Sequence, residues 1–208
     1  MNEDNNKKNI EHIGWDDIDK ACNALYPNQE PLHYAPIIKY NVGGPDPLDG
    51  ISVYDAGNYY HFITYGFSEI YKKENENNEI SGFGFELTYK LKKYDWINED
   101  EIKNACAILQ EMARYVFKTK KTFKPYEYAY TGQTDGIDCN RKSSIIAFAF
   151  VEDKLLKNID TINGNLQFVE MIGIKNDELQ QILNKERPRE IIIKEIIEKY
   201  GDITDYNR

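Results

Sequence analysis

Chemistry in this 208-residue sequence would have to come from few side chains: three histidines, three cysteines and scattered carboxylates. His12 sits in the polar N-terminal stretch, and His33 in a proline-rich segment that reads as a loop. His61 stands between Tyr60 and Phe62 in a run that reads as a strand. It is the candidate general base, with Glu86 or Asp46 as an acidic partner. A strand imidazole among aromatic residues is more often a packed, hydrogen-bonded core group, and His61 is read first in that way. Cys22, Cys106 and Cys139 are far apart, odd in number and form no C-x-x-C, a pattern that indicates neither a zinc site nor a disulfide framework. Asp135-Gly136-Ile137-Asp138 looks like the opening of a calcium loop but lacks the alternating oxygen ligands and the closing glutamate, so it reads as a turn. Gly82-Phe83-Gly84 lacks the third glycine and the following helix of a dinucleotide fingerprint. Its glycines read instead as places where another backbone approaches a strand closely. A G-x-S-x-G elbow, a Walker A loop and H-E-x-x-H are absent from the sequence. The expectation is a protein with no catalytic residues, no metal and no cofactor.

Binding chemistry is better represented. Sixteen tyrosines stand against nine phenylalanines, and a core needing only bulk would favour phenylalanine, because each buried tyrosine hydroxyl needs a partner. Many of the rings are therefore expected to be part-exposed, where an apolar body with a polar tip suits an interface. The formal net charge of -9 argues against a nucleic-acid footprint and would speed the approach of a basic protein. Met1 to Glu11 contains no apolar signal-peptide core, and the most apolar run, Ile145 to Val151, is too short to span a bilayer. With free thiols, this predicts a cytoplasmic protein that engages neither membrane nor nucleic acid.

The elements that must position these groups follow from periodicity. Residues 1–12 read as a disordered leader and 13–208 as a single domain. Ile18, Ala21, Cys22 and Leu25 predict a helix over Trp15 to Leu25. Ile37 to Val42 suits a short strand, and Ile51 to Tyr54 with Tyr59 to Tyr65 a hairpin. Lys72 to Glu79 is a charged loop. Phe83, Phe85, Leu87, Tyr89 and Leu91 alternate with small or polar residues and mark a half-buried strand. Ile102, Ala105, Cys106, Leu109, Met112, Ala113, Val116 and Phe117 form one stripe of a helix over Glu99 to Lys118, with Asn98 as its cap. Strands at Ile145 to Val151 and Leu166 to Ile174 and helices at Asp177 to Leu183 and Pro188 to Tyr200 complete the chain. Strands cluster rather than alternate with helices, which favours an α+β fold with a mixed, largely antiparallel sheet flanked by helices.

One loop is unusually constrained. Asn41 to Gly50 reads N-V-G-G-P-D-P-L-D-G. Gly43 and Gly44 permit positive φ, Pro45 and Pro47 fix φ, and Asp46 and Asp49 have side chains suited to bonding nearby backbone N–H groups. The segment is expected to be a rigid, shaped connection.

I-K-Y-x-x-G-G-P-D-P-L-D at Ile38 to Asp49 resembles the signature of the Suppressor of fused family. His61 to Tyr71, Ser81 to Thr88, Arg114 to Phe117 with Thr122-Phe123, Phe168 to Ile174, Asp177 to Leu179 and Ile203 to Asp205 agree with it in order. The resemblance covers Trp15 to the end and implies a binding protein rather than an enzyme. Animal members hold a Gli transcription-factor peptide between two domains, and this chain resembles their N-terminal domain without the second. Compact bacterial members are proposed to act as immunity proteins that neutralise toxins of polymorphic toxin systems. The Asn-, Lys- and Ile-rich composition suits an AT-rich bacterial genome, so a protein partner, in that setting a cognate toxin, is what the resemblance implies. Tyr115 matches a groove tyrosine and Glu127 stands for a groove aspartate. Asn41 and Val42 occupy the positions of a Trp-Leu pair that contributes to the groove in animal proteins. These four residues form the expected partner-binding patch, with a general adaptor, or an enzyme using His61, as the alternatives.

Overall fold

A computed structural model describes residues 13–71, 79–130 and 132–208. The expected leader, 1–12, and most of the expected charged loop, 72–78, lie outside the described residues. In chain order the elements are α1 (Ile13–Leu25), β1 (Leu32–Tyr34), β2 (Gly50–Asp55), β3 (Tyr59–Tyr65), β4 (Ile80–Lys92), α2 (Glu99–Thr119), β5 (Tyr128–Ala129), β6 (Ile145–Glu152), β7 (Ile159–Thr161), β8 (Gly164–Lys175), α3 (Asn176–Leu183) and α4 (Arg189–Tyr200). The strands form one sheet in the order β1-β2-β3-β4-β8-β6-β5, with β7 paired to β8. The β4–β8 pair is parallel and the other pairings between named strands are antiparallel, so the fold is α+β with a mixed, largely antiparallel sheet.

Alternation on the strands divides the core between two faces. Leu87, Tyr89 and Leu91 of β4, Phe62 of β3, Phe148 and Phe150 of β6 and Met171 of β8 pack with the apolar stripe of α2. The helix starts where the sequence indicates: Asn98 Oδ1 accepts the Glu101 N–H at 3.1 Å. On the other face, Ile18 and Cys22 of α1 pack with Tyr54, Ile63 and Phe168, while Leu179 of α3 and Ile193 of α4 pack with Ala149 and Ile172. That second face also holds a buried polar seam of His61, Lys90 and Glu170, joined by Asp153 from beyond β6.

The expected strand at Ile37 to Val42 is not formed. The Lys39 carbonyl accepts N–H groups from both Val42 (3.1 Å) and Gly44 (3.0 Å), and the chain curls into a 3-10 turn at Tyr40–Val42. These local bonds take the place of a neighbouring strand and leave Ile37, Ile38 and Val42 in solvent. His33 is not in a loop but in β1, opposite Ser52, with Nδ1 3.1 Å from Ser52 Oγ. In the Gly82-Phe83-Gly84 segment, where the β4–β8 register shifts, only Gly82 answers to close approach: a Cβ there would lie 2.6 Å from the Phe67 carbonyl oxygen. Gly84 has a φ of 83° and meets no backbone, so its need is conformational.

Candidate partner-binding groove

The side of α2 turned from the core carries Tyr115, 45 % exposed. The helix ends at Lys120, whose φ is 60° and whose N–H bonds the Val116 carbonyl. The chain then doubles back, so that Phe123 stacks on Tyr115 at 5.7 Å between ring centroids and on Phe150 at 4.1 Å. Three rings thus run from solvent to the core. Beyond them the chain forms β5, which pairs with β6 and is the end strand of the sheet.

Between α2 and β5 lies a cleft of about 660 Å³, walled by Met112, Tyr115, Lys118, Phe123, Tyr128 and Tyr130. It continues past Glu111, Met112 and Ala129 into a second cleft of about 540 Å³, whose apolar floor is Ile146, Ala147 and Phe148 and whose rim includes Asp135 and Arg141. The loop on that rim is tied down. The buried Asp138 carboxylate accepts the N–H groups of Lys142 (3.1 Å) and Ser143 (2.7 Å), and Asn104 of α2 donates to the Ile137 carbonyl at 2.8 Å. The calcium-like segment is therefore a self-bonded turn, as its sequence suggests.

The four residues expected to form one patch are not together. Glu127 lines neither cleft. Its Oε2 accepts the Lys124 N–H at 3.0 Å and its Oε1 lies 3.9 Å from Arg189 Nη2, so the carboxylate closes the turn that leads into β5. Asn41 and Val42 sit on the 3-10 turn, whose Tyr40 packs edge-on against Phe117 at 5.3 Å. Phe117 and Tyr115 are two positions apart on a helix and so point about 200° apart. Asn41 accordingly lines a different, shallow cleft of about 220 Å³ with Asp49, Tyr71 and Phe117.

The constrained loop runs along one face of α2, where Gln110, Arg114 and Phe117 fall at i, i+4 and i+7. Gly43 has a φ of 97°, while Gly44 is required for contact: a Cβ there would lie 1.9 Å from the Ile38 carbonyl oxygen. Pro47 and Leu48 are buried between strand and helix, and Gln110 of α2 grips the Leu48 backbone. Asp46 accepts a hydrogen bond from Arg114 Nη1, and Arg114 Nη2 bonds Glu111 Oε1 at 2.6 Å. The Asp49 N–H bonds the Tyr65 carbonyl at 2.9 Å, and burial pushes the Asp49 carboxyl up against the downward pull of Lys39. Asp46 and Asp49 thus turn their side chains to the cations Arg114 and Lys39 and not, as expected from the sequence, to nearby backbone N–H groups. Gln110 was not singled out by sequence, because a helical glutamine reads as solvent-facing.

The catalytic alternative finds its residues bound to different partners. His61 is 0 % exposed, with Nδ1 2.7 Å from the Tyr26 hydroxyl and Nε2 3.4 Å from Asp153. Burial lowers its pKa against the opposing pull of Asp153. Glu86 receives the Ser68 N–H (2.9 Å), the Gly66 N–H (2.9 Å) and the hydroxyls of Ser68 (2.6 Å) and Thr64 (2.6 Å). Burial nevertheless pushes its carboxyl up to about 7. Asp46 belongs to Arg114. No group of three or more histidine, cysteine or carboxylate side chains is arranged to hold a metal among the described residues. No helix among them is long and apolar enough to cross a membrane.

Comparison with known proteins accords with this architecture. The family model described as Suppressor of fused protein (SUFU) matches residues 44–208. The Suppressor of fused homologues of Homo sapiens and Mus musculus are each 33% identical over 174 residues, covering 76% of this chain and 35% of theirs. The chain therefore spans about a third of the length of these relatives. Among solved structures, Drosophila Suppressor of Fused aligns with a TM-score of 0.82 at 25% identity, over 95% of this chain and 51% of that one. A Sufu–Fu complex aligns at 0.79 and 27%, over 95% and 91%. A homologue from Neisseria gonorrhoeae shares the fold, at 0.62 and 12%, over 93% of each chain. With the family match, the identity to the animal proteins and the fold all in agreement, the chain belongs to the Suppressor of fused family.

Proposed function

We propose that this protein binds a partner polypeptide in the groove between α2 and β5, with Tyr115 as its central contact. The observation that carries this reading is the Tyr115–Phe123–Phe150 ring ladder, which opens an apolar, preformed cleft to solvent beside an edge strand. Such clefts, walled by aromatic residues with tyrosine hydroxyls at the rim, are the usual anchoring pockets of interfaces. A solved relative is itself a complex, Sufu with Fu. The finer reading is an immunity-type role, in which the partner is a toxin of a polymorphic toxin system and is silenced by occlusion. The net charge of -9 and an Asn-, Lys- and Ile-rich composition that suits an AT-rich bacterial genome support it.

Capture from the native host, with wild-type protein and Tyr115→Ala as parallel baits, tests both levels. A partner retained by wild type and lost by the variant supports the groove. If that partner arrests growth when expressed alone and is rescued by co-expression, the immunity reading stands; a harmless partner makes the protein an adaptor. A partner held equally by both baits overturns the groove reading.

A further inference from the structure

From Arg114 to Lys124 the chain carries Arg114, Lys118, Lys120, Lys121 and Lys124 and no aspartate or glutamate, in a protein whose formal net charge is -9. The α2 dipole accounts for part of this pattern, since the last turn of a helix favours cations. Lys121 and Lys124 lie past that turn. Arg114 is neutralised in place by Asp46 and Glu111. Lys120 Nζ lies over the rings of Phe83 (5.5 Å) and Phe117 (5.8 Å). Lys118, Lys121 and Lys124 are exposed, and none of them is ion-paired among the described residues. Lys118 lines the same cleft as Tyr115, and Lys121 and Lys124 flank in sequence the Phe123 that stacks on Tyr115 and lines that cleft too. The nearest carboxylates are already engaged, Glu111 by Arg114 and Glu127 by the Lys124 N–H and Arg189.

We infer that this basic corner takes an acidic stretch of the partner polypeptide. An apolar or aromatic residue of the partner contacts the Tyr115 and Phe123 rings, and carboxylates flanking it reach Lys118, Lys121 and Lys124. The inference rests on the groove reading and runs against the overall charge. At long range -9 draws basic surfaces, but at contact, within a Debye length of about 8 Å, the nearest unpaired charges decide. One exposed lysine in the cleft and two more on the turn beside Phe123, on a protein of net charge -9, suit a short peptide segment better than a nucleic-acid backbone or a lipid surface, both of which reward broad positive faces.

Fluorescence anisotropy with the full chain tests this, using three labelled peptides that share a Leu-Tyr-Leu core and end in a run of glutamate, serine or lysine. The expected order of affinity is glutamate, serine, lysine, with about tenfold or more between the extremes at low salt and convergence at high salt. The triple variant Lys118→Glu, Lys121→Glu, Lys124→Glu should reverse the order with its melting temperature little changed, since all three side chains are exposed. Equal affinities, a preference for lysine, or no binding by any peptide overturns the inference. Tyr115→Ala separates it from the groove reading. Core-dependent binding without charge preference keeps the groove and removes the acidic partner, whereas a glutamate preference that survives Tyr115→Ala keeps the basic corner and removes the groove. Oligothymidine or phosphatidylserine vesicles that bind as tightly as the glutamate peptide, with the same lysine dependence, would make the corner a general polyanion surface and overturn the peptide assignment.

Discussion

Gln110 pairs with both backbone groups of Leu48: its Oε1 accepts the Leu48 N–H at 3.2 Å and its Nε2 donates to the Leu48 carbonyl at 3.2 Å. A helix side chain here does the work of a neighbouring strand for a loop residue that is 0 % exposed. Gln110→Met keeps the bulk and removes both bonds, leaving two buried backbone groups unpaired at a cost of about 2–4 kcal/mol. Urea melts of wild type and variant measure the difference; equal midpoints would mean that the pairing contributes nothing to stability.

Gly43 and Gly44 fail differently when substituted. Alanine at Gly43 must adopt a left-handed conformation, at about 1–2 kcal/mol, and meets no neighbouring atom. Alanine at Gly44 drives a methyl into the Ile38 carbonyl, so the turn has to move, at about 3 kcal/mol or more. Denaturant midpoints should therefore rank wild type, Gly43→Ala, Gly44→Ala, and the reverse order of the two variants would contradict the turn geometry.

Glu86 makes stability depend on pH. Its folded pKa, pushed up to about 7 by burial, lies above the ordinary value of 4.5, so between the two the folded state holds a proton that the unfolded state has released. The contribution is complete below 4.5 and disappears as pH rises through about 7. It amounts to about 3 kcal/mol. Unfolding free energies across that window should fall with pH in wild type and fall less in Glu86→Gln. Parallel slopes would show that Glu86 is ionised throughout.

Tyr115→Ala should weaken partner binding by about 1–3 kcal/mol, as expected for a ring at the centre of a contact. Glu127→Gln should leave affinity and association rate close to wild type, because the amide oxygen can still accept the Lys124 N–H. Surface-plasmon measurements with a captured partner compare the two, and a large effect of Glu127→Gln alone would move the contact to the far end of the β5 turn.

The parts of the fold written in long periods were legible. The α2 stripe buries one face, as its period indicates, and β4 and the β2–β3 hairpin form where the alternation places them. The half-buried reading of β4 was wrong, because its polar positions Glu86, Thr88 and Lys90 are buried too, facing the second core with partners that a hydropathy pattern does not show. Short elements were not: β1, β5 and β7 span too few residues to show a period, and their conformation is set by the strands they pair with. Ile37 and Ile38 misled because an apolar pair reads as buried, whereas the backbone bonds closing on Lys39 hold both in solvent. Tyr115 was found through family resemblance, but the cleft around it depends on Phe123 folding back, a turn that hydropathy does not encode.

The parallel seam between β4 and β8 governs how this chain must acquire its structure. β1 to β4 can zip as a local meander, and β7–β8 as a hairpin that β6 joins along β8, but the α2 stripe packs on Phe62 and Leu87 from the first group and on Phe148 and Met171 from the second. Neither group can satisfy that helix alone. Closure therefore waits for residues from opposite halves of the chain to meet, a topology rich in distant contacts that places folding toward the slow, millisecond-to-second end of the range for single domains. On the ribosome, the core under the groove could not close until β8 had emerged, and α2 would wait with its apolar side uncovered, the interval in which such a chain is most exposed to aggregation.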